Sequence, residues 1–161
     1  MKKLWAPWRI AYVRKKIRGC FLCRYLGQKN DPKNFILQRT AHSFSILNLY
    51  PYNNGHVMIV PKRHVRDLHQ LSPFEREDLI NLFIATKGLC DKVLKPQGFN
   101  SGINFGRAAG AGLEAHLHIH LVPRWKGDTN FMPVLNGTKV ISESLKALYG
   151  RLVKGLKKSA R

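Results

Sequence analysis

The sequence predicts an α+β fold: a mostly antiparallel sheet carrying one long helix, with a second helix near the C-terminus. Three observations carry that prediction. Ser72-Pro73-Phe74-Glu75 joins an N-cap serine to a proline at the first helical position and a glutamate placed for a capping box. Behind it Leu79, Leu82, Phe83, Leu89, Cys90 and Val93 recur at helical spacing, which predicts one amphipathic helix over residues 73–94. Finally, His116-Leu117-His118-Ile119-His120-Leu121-Val122 alternates imidazole and aliphatic side chains, so a strand would turn the histidines to one face and Leu117, Ile119 and Leu121 to the other.

The remaining elements follow in order. The first thirteen residues set Trp5, Trp8 and Tyr12 among cations and read as an arm that packs onto another surface. Asn30-Asp31-Pro32 reads as a turn, then Phe35–Gln38 and Phe44–Leu47 as short strands. Pro51-Tyr52-Asn53-Asn54-Gly55 is a second turn, leading into an apolar strand, His56–Val60, closed by Pro61. Lys95-Pro96-Gln97-Gly98 stops the long helix, and Phe99, Ile103 and Phe105 alternate as a strand. A Gly-rich loop spans Gly106 to Gly112, Pro123 is expected to end the histidine strand, and a helix starting near Ser142 carries Leu145, Leu148, Tyr149, Leu152 and Leu156 on one side. With no repeat or low-complexity linker, the 161 residues read as a single domain: an arm (1–19), a core (20–125) and a C-terminal extension (126–161) with a helix and a basic tail.

Composition narrows the class. At 44% hydrophobic the chain is globular, and no run is long enough to span a membrane. The start, Met1-Lys2-Lys3-Leu4-Trp5-Ala6-Pro7-Trp8, has no signal-peptide pattern, so the expected location is the cytoplasm. The net charge of +19 favours polyanionic partners. It reads mainly as a solvated surface plus the basic tail Lys154–Arg161, with a second cluster at Arg14–Arg18. Without a helix-turn-helix, RNP or zinc-finger pattern, a dedicated nucleic-acid interface is not favoured. Three cysteines are too few and odd in number for a disulfide framework, and Cys90 reads as a small core residue.

Three imidazoles in a row are a poor core, because each needs hydrogen-bond partners once buried. They suit either metal or nucleophilic chemistry. Neighbours two apart on a strand lie roughly 6.5–7 Å apart at Cα and positions four apart roughly 13 Å, so one ion accounts for two of them better than for three. A neutral imidazole also attacks phosphorus well when its other nitrogen is held by a hydrogen bond, with flanking imidazoles as donors to oxygens where charge develops. Cys20-Phe21-Leu22-Cys23 fits a zinc knuckle, a redox pair or two small core residues, although no redox-motif context surrounds it. His42 and His69 match no motif and read as surface or turn residues, while Trp5, Trp8 and Trp125 read as core or dimer packing rather than base-stacking platforms.

His116 to Val122 matches the His-φ-His-φ-His-φ-φ signature of the histidine triad superfamily of nucleotide hydrolases and transferases. Asn53-Asn54-Gly55-His56-Val57-Met58-Ile59-Val60-Pro61-Lys62-Arg63-His64 resembles that family's Gly-His-φ-φ-φ-φ-Pro-Lys-x-His block, and Asn104-Phe105-Gly106 precedes the Gly-rich loop in the family's order. Leu4-Trp5-Ala6-Pro7-Trp8-Arg9, Ala109-Gly110-Ala111-Gly112 and Pro123 to Phe131 resemble the bacterial diadenosine polyphosphate phosphorylase-like branch. The resemblance implies a homodimer with helix 73–94 at or near the interface. It also implies cleavage at the α-phosphate of a dinucleoside polyphosphate or related nucleotide through a covalent nucleotidyl-histidine, opened by water or phosphate. His118 would be the nucleophile, supported by His116 and His120, with His56 beside the α-phosphate, Asn48 at the ribose and Asn104 at the phosphates. Where many members carry Gln-Ser or Gln-Thr the chain has Gly112-Leu113, so either backbone N–H groups of the loop around Gly110 and Gly112 make that contact or the acceptor chemistry differs from that of the plain hydrolases. Zinc-containing relatives bind through positions filled here by Cys20, Cys23, His64 and His116, implying a structural Zn2+. The rival reading is a non-catalytic basic nucleotide or nucleic-acid binder on the same fold; a histidine–metal hydrolase is a third.

Overall fold

The computed structural model describes residues 19–129 and 141–159. The arm with Trp5, Trp8 and Tyr12, the Arg14–Arg18 cluster, Asn130-Phe131 and the final residues Ala160 and Arg161 lie outside them. The elements are α1 (Phe21–Gln28), α2 (Asp31–Asn34), β1 (Ile36–Arg39), β2 (Ser43–Leu47), β3 (Val57–Pro61), α3 (Pro73–Leu94), β4 (Gly98–Gly102), β5 (Ile119–Arg124) and α4 (Leu145–Ser159), with short 3-10 turns at Leu68–Gln70 and Arg107–Ala109. The five strands pair antiparallel throughout, in the order β1-β2-β3-β5-β4. None of the helices is long and apolar enough to cross a membrane among the described residues.

Period two along the central strands sorts their side chains onto two cores. Leu47, Val57, Ile59, Leu117, Ile119 and Leu121 face α3 and α4, whose Leu79, Leu82, Leu89, Cys90, Leu148 and Leu152 complete that layer. Phe44, Ile46, Met58 and Val60 point the other way, onto Leu22 of α1 and Ile36. Strands covered on both faces are apolar without interruption, which is why β3 reads Val-Met-Ile-Val and is buried throughout.

Helix α3 has the predicted bounds, because both ends are set locally. The Ser72 hydroxyl accepts from the Glu75 N–H at 3.2 Å, and Glu75 accepts in return from the Ser72 N–H at 2.8 Å. At the other end Lys95 turns left-handed (φ 49°) and donates its N–H to Asp91 O. Each fully buried leucine on its inner face contributes about 1.5–3 kcal/mol.

Several expectations are corrected. Asn30-Asp31-Pro32 opens the helical turn α2, with Asn30 Oδ1 accepting from the Lys33 N–H at 3.3 Å. The Phe35–Gln38 strand is shifted by one residue, to Ile36–Arg39. The Phe99–Phe105 strand stops at Gly102, the last residue to pair with β5, so Ile103 and Phe105 lie beyond it. The C-terminal helix begins at Leu145, with Ser144 Oγ accepting from the Ala147 N–H at 3.2 Å. Regular pairing in β5 starts only at Ile119, leaving His116 and His118 outside the ladder, and the strand continues through Pro123 to Arg124. Arg124 O accepts from the Gln97 N–H on the β4 side, so Pro123 faces the opposite way, past the last β3 pairing at Val57, where a missing N–H costs nothing.

Candidate active site and metal centre

His56 and the three triad histidines lie on the face away from α3, and all four are buried: His56 1%, His116 0%, His118 7% and His120 8% exposed. β3 and β5 bring His56 to the triad through the Met58–His120 register. His42 and His69 are exposed, as expected, with His69 against Asp67 at 2.9 Å.

Fixed backbone groups decide where the ring protons sit, since a carbonyl only accepts and an amide N–H only donates. His116 Nε2 lies 2.8 Å from Pro61 O and must donate, leaving Nδ1 as a lone pair. His118 Nδ1 donates to His116 O at 2.8 Å, leaving the Nε2 lone pair free for chemistry. The Tyr52 N–H donates to His56 Nδ1 at 3.1 Å, so His56 Nε2 carries a proton and donates to His120 Nδ1 at 2.9 Å. A neutral His120 therefore holds its own proton on Nε2. The Tyr52 N–H and the His56 and His120 rings thus form one donor–acceptor chain, while the His116 and His118 rings each donate to a backbone carbonyl.

Burial favours the neutral form of His56, His116 and His118. Desolvation, reinforced by the His120 and His118 charges, lowers His56 to about 3. Desolvation also lowers His118, outweighing its bond to the His116 carbonyl, which acts upward. Tyr52 closes the assembly, its ring centroid 4.7 Å from His56 and 5.5 Å from His120.

Asn48, expected at the ribose, stands beside this chain: its Nδ2 is 3.4 Å from His56 Nδ1 and its Oδ1 accepts from the Tyr50 N–H at 2.9 Å. Asn104 is half-buried in the segment leaving β4. The Gly-rich loop is partly ordered by its own backbone, with the Gly110 N–H donating to Arg107 O at 2.8 Å and Arg107 pairing with Glu114 at 2.5 Å. Gly110 and Gly112 are exposed there.

The cysteine pair sits at the other side of His116. Cys20 caps α1 and Cys23 lies one turn on, so the C-x-x-C spacing turns both sulfurs the same way. Cys20 Sγ is 3.2 Å and Cys23 Sγ 3.4 Å from His116 Nδ1, and Cys23 Sγ is 3.3 Å from His64 Nδ1. The four ligand atoms lie within 4.8 Å of one another. Bond lengths of about 2.3 Å to sulfur and 2.0–2.1 Å to nitrogen give tetrahedral edges of roughly 3.4–3.8 Å, so this Cys2His2 set fits zinc. The His116 lone pair faces the sulfurs because the other nitrogen is committed to Pro61 O. Burial, then the Cys20 sulfur, pushes the Cys23 thiol up to about 11, an effect a divalent cation reverses.

Sequence reasoning missed Tyr52, whose N–H sets the His56 tautomer, and a brace at the end of the histidine row. There Asn53 Nδ2 donates to Pro123 O at 3.0 Å and to Asp128 at 2.7 Å, and Asp128 holds Arg124 at 2.6 Å. Both Tyr52 and Asn53 precede His56 in a turn, where polar residues ordinarily signal only chain reversal.

The HIT domain family model matches residues 28–127. An AP-4-A phosphorylase of Mycobacterium tuberculosis is 35% identical over 155 residues, covering 91% of this chain and 80% of that protein. An asymmetrical bis(5'-nucleosyl)-tetraphosphatase of Schizosaccharomyces pombe is 36% identical over 93 residues, 58% of this chain and 50% of that protein. Among solved structures, a zinc-bound histidine triad family protein from Mycobacterium smegmatis superposes with a TM-score of 0.70 at 23% identity, over 89% of this chain and 98% of that one.

Proposed function

The chain belongs to the HIT domain family, and from that premise we propose that it cleaves a dinucleoside polyphosphate or related nucleotide at the α-phosphate, with His118 as nucleophile. One observation carries the reading: a neutral, buried His118 whose Nδ1–H is spent on a backbone carbonyl, leaving Nε2 as its only lone pair. In the first step Nε2 attacks the α-phosphorus, an N–P bond forms and the P–O bond to the leaving phosphate chain breaks. That chain departs as an anion and needs only a hydrogen bond, which His120 Nε2–H supplies. The ring becomes cationic while keeping its Nδ1 proton, and the His116 carbonyl stabilises that charge. Water or inorganic phosphate then attacks the same phosphorus, breaks the N–P bond and restores His118. Water yields a nucleoside monophosphate and phosphate yields a nucleoside diphosphate.

Asn48, Asn104 and the loop at Gly110 and Gly112 complete the substrate contacts in this reading, and the net charge of +19 steers polyanions inward. Cys20, Cys23, His64 and His116 would hold a zinc ion, and because all four ligands come from the protein its role would be structural, tying α1 and the segment after β3 to His116. The free edge of β4, with Asn100, Ser101 and Gly102 exposed, and Ile80 and Ile84 on the outer side of α3 support a homodimer there. The three free cysteines fit a reducing cytoplasm.

Incubation with diadenosine tetraphosphate, with and without inorganic phosphate, tests the reading. His118→Ala should fold normally and lose turnover. Activity retained in that variant removes the nucleophile assignment, and salt-sensitive oligonucleotide binding with no cleavage by the wild type supports a binding module instead.

A further inference from the structure

We infer that the Cys20–Cys23–His64–His116 cluster is the device that positions the nucleophile, acting through the two ends of His116. This rests on the proposed function, both for the metal ligands and for His118.

The nucleophile is not held by the sheet. Pairing with β3 and β4 begins at Ile119 and His120, so residues 116–118 have no ladder neighbours. They are laced instead to the segment Pro61–Val65. His116 Nε2 donates to Pro61 O at 2.8 Å, the Leu117 N–H donates to Val65 O at 2.6 Å, and His64, between those two carbonyls, enters the cluster with His116. Cys20 and Cys23 close the lacing from α1.

His116 then does two things at once. Its ring is one corner of the cluster, and its carbonyl holds His118 Nδ1 at 2.8 Å. A rotation of the 116–117 peptide, which the cluster resists, carries that carbonyl away from Nδ1 and frees the His118 ring to turn. Cys20, Cys23 and His64 contact neither His118 nor the phosphate site, so they are positioning residues. Misplacement of a reacting group by about 1 Å costs about 100-fold. Loss of the cluster should therefore appear in kcat while leaving substrate affinity nearly intact.

The test uses His64→Ala and His64→Cys in the full chain, because His64 is exposed and its removal leaves no core cavity. Metal content, steady-state kinetics on diadenosine tetraphosphate, and the ring 15N signals of His118 at one fixed pH are measured for each. His64→Ala should lose metal, lower kcat about 10- to 100-fold with KM within about 3-fold, and weaken the single-tautomer Nδ1–H signature of His118. His64→Cys, which restores a fourth ligand, should recover metal, kcat and signature together. Should His64→Ala fail to fold, chelation of the wild-type protein followed by the same spectrum supplies the comparison. A metal-free protein with unchanged kcat and unchanged His118 signature overturns the coupling and leaves the metal reading standing. A folded wild type that binds no zinc removes the metal reading and this inference with it. Zinc binding without turnover of any nucleotide removes the functional reading, and the ring signature alone then decides the coupling.

Discussion

Acid should destabilise this protein through His56, with a slope the geometry sets. His56 is 1% exposed, accepts from the Tyr52 N–H at Nδ1 and donates from Nε2 to His120, so neither nitrogen has room for a further proton. Burial and the neighbouring imidazoles hold it at about 3 when folded, against 6.5 as the reference value. Between those limits the unfolded chain binds a proton that the folded chain refuses, so stability is fully present above pH 6.5 and is lost as pH falls towards 3. The slope is about 1.4 kcal/mol per pH unit, or about 2.5 kcal/mol between pH 6.5 and 4.5. Urea unfolding of the wild type and His56→Gln over that window isolates this group, because every other residue is the same in both proteins. The variant is less stable at pH 7, and the difference should shrink by about 2–3 kcal/mol at pH 4.5. A difference that stays constant with pH would show that His56 is protonated in the fold and refute the tautomer chain built on it.

Gly55→Ala should cost about 2–5 kcal/mol, combining left-handed strain with overpacking. Gly55 has φ +77°, and an added Cβ would lie 2.6 Å from Leu94 Cδ1 and 2.9 Å from Pro123 Cγ, so thermal unfolding should report a large drop in Tm. Since His56 is the next residue, kcat should fall as well; an unchanged Tm would mean that the turn relaxes freely. Asp128→Ala should lose about 1–3 kcal/mol, because Arg124 and Asn53 are both left without their shared acceptor. Denaturation checks the loss, and combining the substitution with Asn53→Ala should give less than the sum of the two single effects.

Much of the fold was legible because its rules act over a few residues. The ends of α3 follow from Ser72, Pro73 and Glu75 at one end and Lys95-Pro96 at the other, all within one turn of the helix terminus. Alternation along 116–122 correctly assigned the histidines to one face and Leu117, Ile119 and Leu121 to the core. The reach of the strand was not legible, because pairing depends on where β3 and β4 stop, and neither boundary is written in the histidine segment. Likewise α1 was missed: Cys20 to Cys23 was read for its ligand spacing, while its helix is supported by packing of Leu22 beneath Phe44 and Ile46.

By itself, then, the sequence determined the family, the long helix to its last residue, and which histidines share one face of the sheet, because periodicity, capping and motif spacing are properties of neighbouring residues. Only the tertiary structure decided which nitrogen of each imidazole holds the proton. Those protons are set by Pro61 O, His116 O and the Tyr52 N–H, and His56 meets His120 across 64 residues of chain. A lone pair can be assigned only once the group facing the other nitrogen is known, and folding alone brings the two together.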